Sequence, residues 1–186
     1  MSSFKPNVNI VVVLVVEMAL GSLSGCSWMV TKSPAVSDNI RRSLDQNGLK
    51  QVSVSQDRDK GIVTLSGNVT TAQEKAQAEN LANGLAGGQV VADEIAVLPA
   101  GQESAAAAVN SDLDAAIGKN LDAALIQSGM KERVKFAVKN GVLTLMGTVR
   151  TRAERFRAEQ IATNIPNVQQ VVNAMEIRDQ KATSSK

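Results

Sequence analysis

Apolar residues recur along this chain with two alternating periods, and the order of those periods occurs twice. Val36, Ile40 and Leu44 fall four apart and stop at Gly48, the spacing of one buried helical stripe. Ile117, Leu121 and Leu125, ending at Gly129, repeat that stripe 81 positions later. A period of two follows each. Val52 and Val54 lead through Asp57-Arg58-Asp59-Lys60-Gly61 to Ile62–Leu65, and Val134, Phe136 and Val138 lead through Asn140-Gly141 to Val142–Leu145. Asn-Gly accepts the positive φ values of a two-residue hairpin, so each copy is predicted to hold a hairpin, with the longer loop in the first.

Thr71-x-x-Glu74 and Thr151-x-x-Glu154 then mark helix starts with capping-box residues. Ala78, Leu81, Ala82 and Leu85 line one of these helices, and Ala158, Ile161, Ala162 and Ile165 the other. Gly87-Gly88 and Pro166-Asn167 break them before the β-branched runs Val90–Val97 and Val168–Ile177. Each repeat reads α-β-β-α-β. The fold class is α+β: two domains, 36–98 and 110–178, each with its helices on one face of a three-stranded sheet. Between them, 99–109 reads as a linker whose alanines, Ala105–Ala108, either stay flexible or extend the next helix. Residues 179–186 form a tail.

The start of the chain bears on location. Lys5 precedes an apolar run, Ile10–Val16 and Met18–Leu20, interrupted by Glu17 and followed by Leu23-Ser24-Gly25-Cys26. The run is shorter than the ~20 residues of a spanning helix and reads as a signal peptide over 1–25. Leu-Ser-Gly-Cys resembles the bacterial lipobox. That resemblance implies cleavage before Cys26, the chain's one cysteine, and an acylated mature N-terminus on a tether over 26–35. Ser27 favours sorting to the outer membrane, facing the periplasm, by the rule that accompanies the lipobox.

Gly-Val-Leu-Thr-Leu-Met-Gly-Thr-Val over 141–149, followed by Ala158, Ile161, Ala162, Pro166-Asn167-Val168 and Val171-Val172-Asn173, resembles the BON domain, and Gly61-Ile62-Val63-Thr64-Leu65-Ser66-Gly67 fits the same pattern. The resemblance covers both repeats, and the layout is similar to periplasmic osmotic-stress proteins and to phospholipid-binding tandem-BON lipoproteins of the outer membrane. It implies binding without catalysis or cofactor, often to phospholipid membranes. Gly87-Gly88 departs from the family's usual order at that loop.

Composition agrees with this reading. The chain has no histidine and one cysteine, which disfavours the commonest general base and metal sites. Asp112, Asp114 and Asp122 read as solvated helix acids, and Gly61, Gly67, Gly141 and Gly147 as turn or strand-end glycines. The net charge of +2 is too small to predict nucleic acid, but it is unevenly placed. Residues 36–98 hold six Lys/Arg against eight Asp/Glu, while 110–178 hold ten against seven. Arg150, Arg152, Arg155 and Arg157 crowd the start of one helix, where the first repeat has Thr70, Ala72, Lys75 and Gln77, and Lys131 and Arg133 add charge nearby.

Phe156 replaces Ala76 and projects about 160° from Ala158 on the helical wheel, with Arg152 about 40° from it. It either packs on the other repeat or the alanine segment, or enters a lipid interface. The expected partner is an anionic phospholipid membrane, met by Arg150, Arg152, Arg155, Phe156, Arg157, Lys131 and Arg133. The other reading is a structural or chaperone-like envelope protein that binds proteins through the same domains.

Overall fold

The computed structural model describes residues 32–178. The segment read as a signal peptide, Cys26 and the residues read as a tail lie outside the described residues. The first repeat runs α1 (Ser37–Gln46), β1 (Val52–Asp57), β2 (Ile62–Val69), α2 (Ala72–Leu85) and β3 (Val90–Val97). The second runs α3 (Glu103–Gln127), β4 (Val134–Lys139), β5 (Val142–Val149), α4 (Arg152–Thr163), β6 (Gln170–Asn173) and β7 (Glu176–Ile177). This is the expected α-β-β-α-β order, twice.

The registers match between repeats. β1 lies antiparallel to β2 with Val52 opposite Gly67, and β4 antiparallel to β5 with Val134 opposite Gly147. Parallel pairing sets Ile62 opposite Val90 and Val142 opposite Gln170. The expected strand over 168–177 is broken at Ala174-Met175, yet β7 resumes on β5 with Val149 opposite Ile177, as Val69 lies opposite Val97. The second hairpin is the two-residue Asn140-Gly141 turn with φ 49° and 79°. In the first, Asp57 pairs with Ile62 across four residues, and the Asp57 carboxylate accepts the N–H groups of Asp59 and Lys60. Despite the departure at Gly87-Gly88, Gly87 and its counterpart Asn167 share left-handed backbone, φ 61° and 67°.

Strand alternation gives each sheet a helix-bearing face. Ile40, Leu44, Val52, Val63, Leu65, Ala78, Ala82 and Ile95 form the first core, and Ile117, Leu121, Leu125, Leu143, Leu145, Ala158 and Ala162 the second. A third cluster joins the repeats through the opposite sheet faces: Ile62 and Ala92 meet Val142, Val172 and Ala174. Ile62 and Val142 are equivalent positions, as are Ala92 and Val172.

Three readings are refined by the structure. The alanines belong to α3, so residues 103–109 are helical and only Leu98–Gln102 remain as a connector. Asp114 is half-buried instead of solvated, because its carboxylate accepts the N–H groups of Asn140 at 2.7 Å and Gly141 at 2.9 Å, tying α3 to the hairpin. Gly67 and Gly147 lie inside β2 and β5, not at strand ends. A Cβ on either would collide with the carbonyl oxygen of Gln51 or Arg133, so glycine lets the strand ahead pass closely.

Candidate membrane-binding surface on the second repeat

Helix α4 begins at Thr151, whose hydroxyl accepts the Glu154 N–H at 3.1 Å. The capping box is complete in α2, where Glu74 also accepts the Thr71 N–H. In α4 the glutamate reaches the N–H of Arg150 instead, at 2.8 Å, so the predicted box is only half formed. Ala158 and Ala162 are fully buried against the sheet, which fixes the rotation of the helix. Phe156 therefore points outward and is 63% exposed, so it is not buried against the first repeat or the alanine segment. Arg152 and Arg157, on the same helix, and Arg150, just before it, are also exposed. Among the described residues none of the three arginines lies within ion-pair distance of a carboxylate.

The other cations named from sequence have internal work. Arg155 is half-buried and turns toward β6, donating Nε to the Asn173 side chain at 3.2 Å and Nη2 to the Asn173 carbonyl at 2.8 Å. Arg133 pairs with Glu154 at 3.6 Å, and Lys131 pairs with Asp122 and stands 5.4 Å from the centre of the Phe136 ring. Of the seven residues, Arg150, Arg152, Phe156 and Arg157 are exposed without an ion-pair partner among the described residues, while Lys131, Arg133 and Arg155 are engaged by other parts of the fold. The wheel already carried the signal for Arg155, which lies only about 60° from Ala158. A shallow depression beside Phe156 is lined by Arg152, Arg155, Glu159 and Ile177.

The first repeat keeps the scaffold and lacks the surface. Lys75, the counterpart of Arg155, donates to the Ile95 carbonyl at 2.9 Å and lies 3.9 Å from the Asp93 carboxylate. Thr70, Ala72, Ala76 and Gln77 stand where the second repeat has three arginines and a phenylalanine. Asp93 is buried, 6% exposed, and burial raises its carboxyl pKa against the opposing pull of Lys75 and the Ile95 N–H. Among the described residues no group of three or more His, Cys, Asp or Glu side chains could hold a metal ion, and no helix is long and apolar enough to cross a membrane.

The BON domain family model matches residues 34–99 and 110–179. The chain belongs to the BON domain family. Each BON domain carries one of the two sheets, and the free cationic surface is on the second. The chain is 29% identical to osmotically-inducible protein Y of Escherichia coli (strain K12) over 147 residues, covering 77% of this chain and 72% of that protein. Among solved structures, CdsD, a structural protein of the type III secretion system of Chlamydia trachomatis, aligns with 17% identity and a TM-score of 0.34, over 75% of this chain and 90% of that one. A structure of the CdsD C-terminal domain aligns with 22% identity and a TM-score of 0.30, over 77% and 65%. At these scores neither alignment bears on function.

Proposed function

We propose that this BON protein is a non-enzymatic, lipid-anchored protein of the bacterial envelope that serves envelope integrity under stress, with its second domain resting on anionic phospholipid. Cys26 carries the anchor, at the periplasmic side of the outer membrane. The observation that supports the reading is the exposure of Phe156 beside Arg152 at the start of α4, with Arg150 and Arg157 exposed nearby in sequence. Similarity to an osmotically inducible protein supports the stress role.

The magnitudes fit an oriented contact instead of a tight one. Burying one phenylalanine ring contributes about 1.5–3 kcal/mol. Each arginine near an anionic surface adds about 1 kcal/mol. Together they give about 4–6 kcal/mol before ordering costs, too little for stable attachment of a free protein but enough for weak binding that co-sedimentation at millimolar lipid detects. An acylated Cys26 supplies attachment, and tethering keeps the surface at high effective concentration. Co-sedimentation of the full chain and its Cys26→Ser variant with phosphatidylcholine vesicles, with and without phosphatidylglycerol, tests the two contributions separately. Binding of the Cys26→Ser protein that depends on phosphatidylglycerol supports the α4 surface. Equal binding to both vesicles, or to neither, overturns it.

A further inference from the structure

Edge strands present backbone N–H and C=O groups with no strand beside them, and folded proteins cover such edges. In β3 the N–H of Val90 bonds the Gly61 carbonyl. The alternation of a parallel ladder then turns Val91, Asp93 and Ile95 outward, away from β2. Side chains fill that outward row. Gln170 donates Nε2 to the Val91 carbonyl at 2.6 Å and accepts the Asp93 N–H at 3.0 Å. The Asp93 carboxylate accepts the Ile95 N–H at 3.2 Å, and Lys75 covers the Ile95 carbonyl. The Gln170 carboxamide, with one donor and one acceptor engaged, takes the place of a peptide group on a neighbouring strand. Asn140, from the second hairpin turn, also reaches β3, donating Nδ2 to the Glu94 carbonyl at 2.8 Å outside that outward row.

The equivalent edge of the second domain is only partly covered, the Asn173 carbonyl by Arg155 and the Met175 N–H by the Asn173 side chain. In β6 the N–H of Ala174 bonds the Leu145 carbonyl, so Val171 and Asn173 face outward. The position equivalent to Gln170 is Val90, 49% exposed and without a side-chain polar atom. Arg155 covers the Asn173 carbonyl, but among the described residues no side chain bonds the Asn173 N–H or the Met175 carbonyl. The first hairpin turn is two residues longer than the second and makes no contact equivalent to Asn140 with Glu94. Between that turn and β6–β7 lies an open groove of about 830 Å³, lined by Asp57, Asp59, Lys60, Arg155 and the segment 173–177.

We infer that this groove takes an extended peptide segment of a partner protein as an added strand along Asn173–Ile177, with a lysine or arginine of that segment at Glu176. Backbone pairing is the recognition element, as the internal carboxamide on the opposite side shows, and such pairing supplies affinity in strand addition generally. Charge sets the residue preference. Asp57 pairs with Lys60 at 3.7 Å and Asp59 with Lys32 at 3.2 Å, and Arg155 is engaged by Asn173. Glu176, exposed at the groove, has no cation within ion-pair distance among the described residues. The inference is independent of the membrane reading, whose exposed arginines it does not use.

The probe is a capped octapeptide of alternating threonine and valine with one central lysine, titrated into the full chain while backbone amide exchange is followed residue by residue. Binding slows exchange at Asn173 and Ile177 by about fivefold or more. Val90→Gln supplies the missing carboxamide and weakens binding about tenfold, equivalent to about 1.4 kcal/mol. Glu176→Lys weakens it as well, and a peptide with glutamate at the central position restores it. Absence of protection at millimolar peptide, equal binding by a proline-interrupted peptide, or protection at another edge overturns the inference. So does concentration-dependent dimerisation abolished by Val90→Gln, which would make a second copy of this chain the occupant.

Discussion

Asp93 and Asn173 occupy equivalent positions in the two repeats and make the same local bond, in which a side-chain oxygen accepts the backbone N–H two residues on, from Ile95 at 3.2 Å and from Met175 at 3.3 Å. The two differ in charge, and the charge at Asp93 is buried. Burial raises its pKa above the ordinary 3.8, aided by Glu79 and opposed by Lys75 and the Ile95 N–H. The folded state thus holds this proton more tightly than the unfolded state, and stability falls as pH rises from about 3.8 through the raised folded value. Asp93→Asn keeps the acceptor and removes the penalty. Thermal melts should show the variant more stable than the parent at neutral pH, with the difference closing below the ordinary carboxylate value. A lower melting temperature at neutral pH would show that the pairing with Lys75 outweighs burial.

Arg155 and Arg152 separate scaffold from surface. Arg155→Ala removes two hydrogen bonds to Asn173, and a loss of about 1–3 kcal/mol is expected with vesicle binding intact where the domain stays folded. The pair Arg152→Glu with Arg157→Glu should do the reverse, abolishing the phosphatidylglycerol-dependent binding of the Cys26→Ser protein with a melting temperature close to the parent's. Differential scanning fluorimetry beside co-sedimentation distinguishes them.

Phe156→Ala should also weaken binding to anionic vesicles without loss of stability, since the ring is exposed. Salt separates the two contributions: raising ionic strength weakens the arginine contribution and leaves the ring contribution nearly unchanged. A large drop in melting temperature on Phe156→Ala would place the ring in a folding contact instead.

Gly147→Ala should be costly. Its φ of 114° disfavours a side chain, and the added Cβ meets the backbone of Arg133, which cannot rotate away. The loss should exceed the ~1–2 kcal/mol of left-handed backbone alone. Gly129→Ala, with φ of 68° and no atom within 4 Å of the new Cβ, should cost only that smaller amount. Equal losses would remove the close approach as the cause.

Much of this fold was legible because its determinants are local. The i, i+4 stripes of Ile40 and Leu44, the Thr71 and Thr151 caps and the Asn140-Gly141 turn each act over a few residues. The small size of each repeat makes packing between them expected, but the residues that form the contact were not legible, because Ile62, Ala92, Val142 and Val172 look like any strand residues until both sheets are placed. The longer first hairpin was legible, but the extra residue ahead of β4 was not. One extra residue precedes β4 and two fewer fill its hairpin, so the spacing between equivalents passes from 81 through 82 to 80. For the candidate surface, composition picked out the arginine-rich helix but not its members' roles. Arg155 differs from Arg152 only in angular position relative to Ala158, and Lys131 and Arg133 find Asp122 and Glu154 only once the chain is folded.

The joining of Ile62 and Ala92 to Val142 and Val172 has a consequence for how little surface the two domains need to stay together. Where equivalent residues meet, a patch is complementary to its own copy, as in a symmetric dimer. Two separate chains would need about 1,200–2,000 Å² of buried surface for a stable pairing. Here the short connector Leu98–Gln102 makes the encounter intramolecular, so an aliphatic patch with the hydrogen bonds of Gln170 and Asn140 beside it need not sustain association between separate chains. Freed from sustaining association by themselves, the two halves can afford unequal edges, one sealed and one partly open.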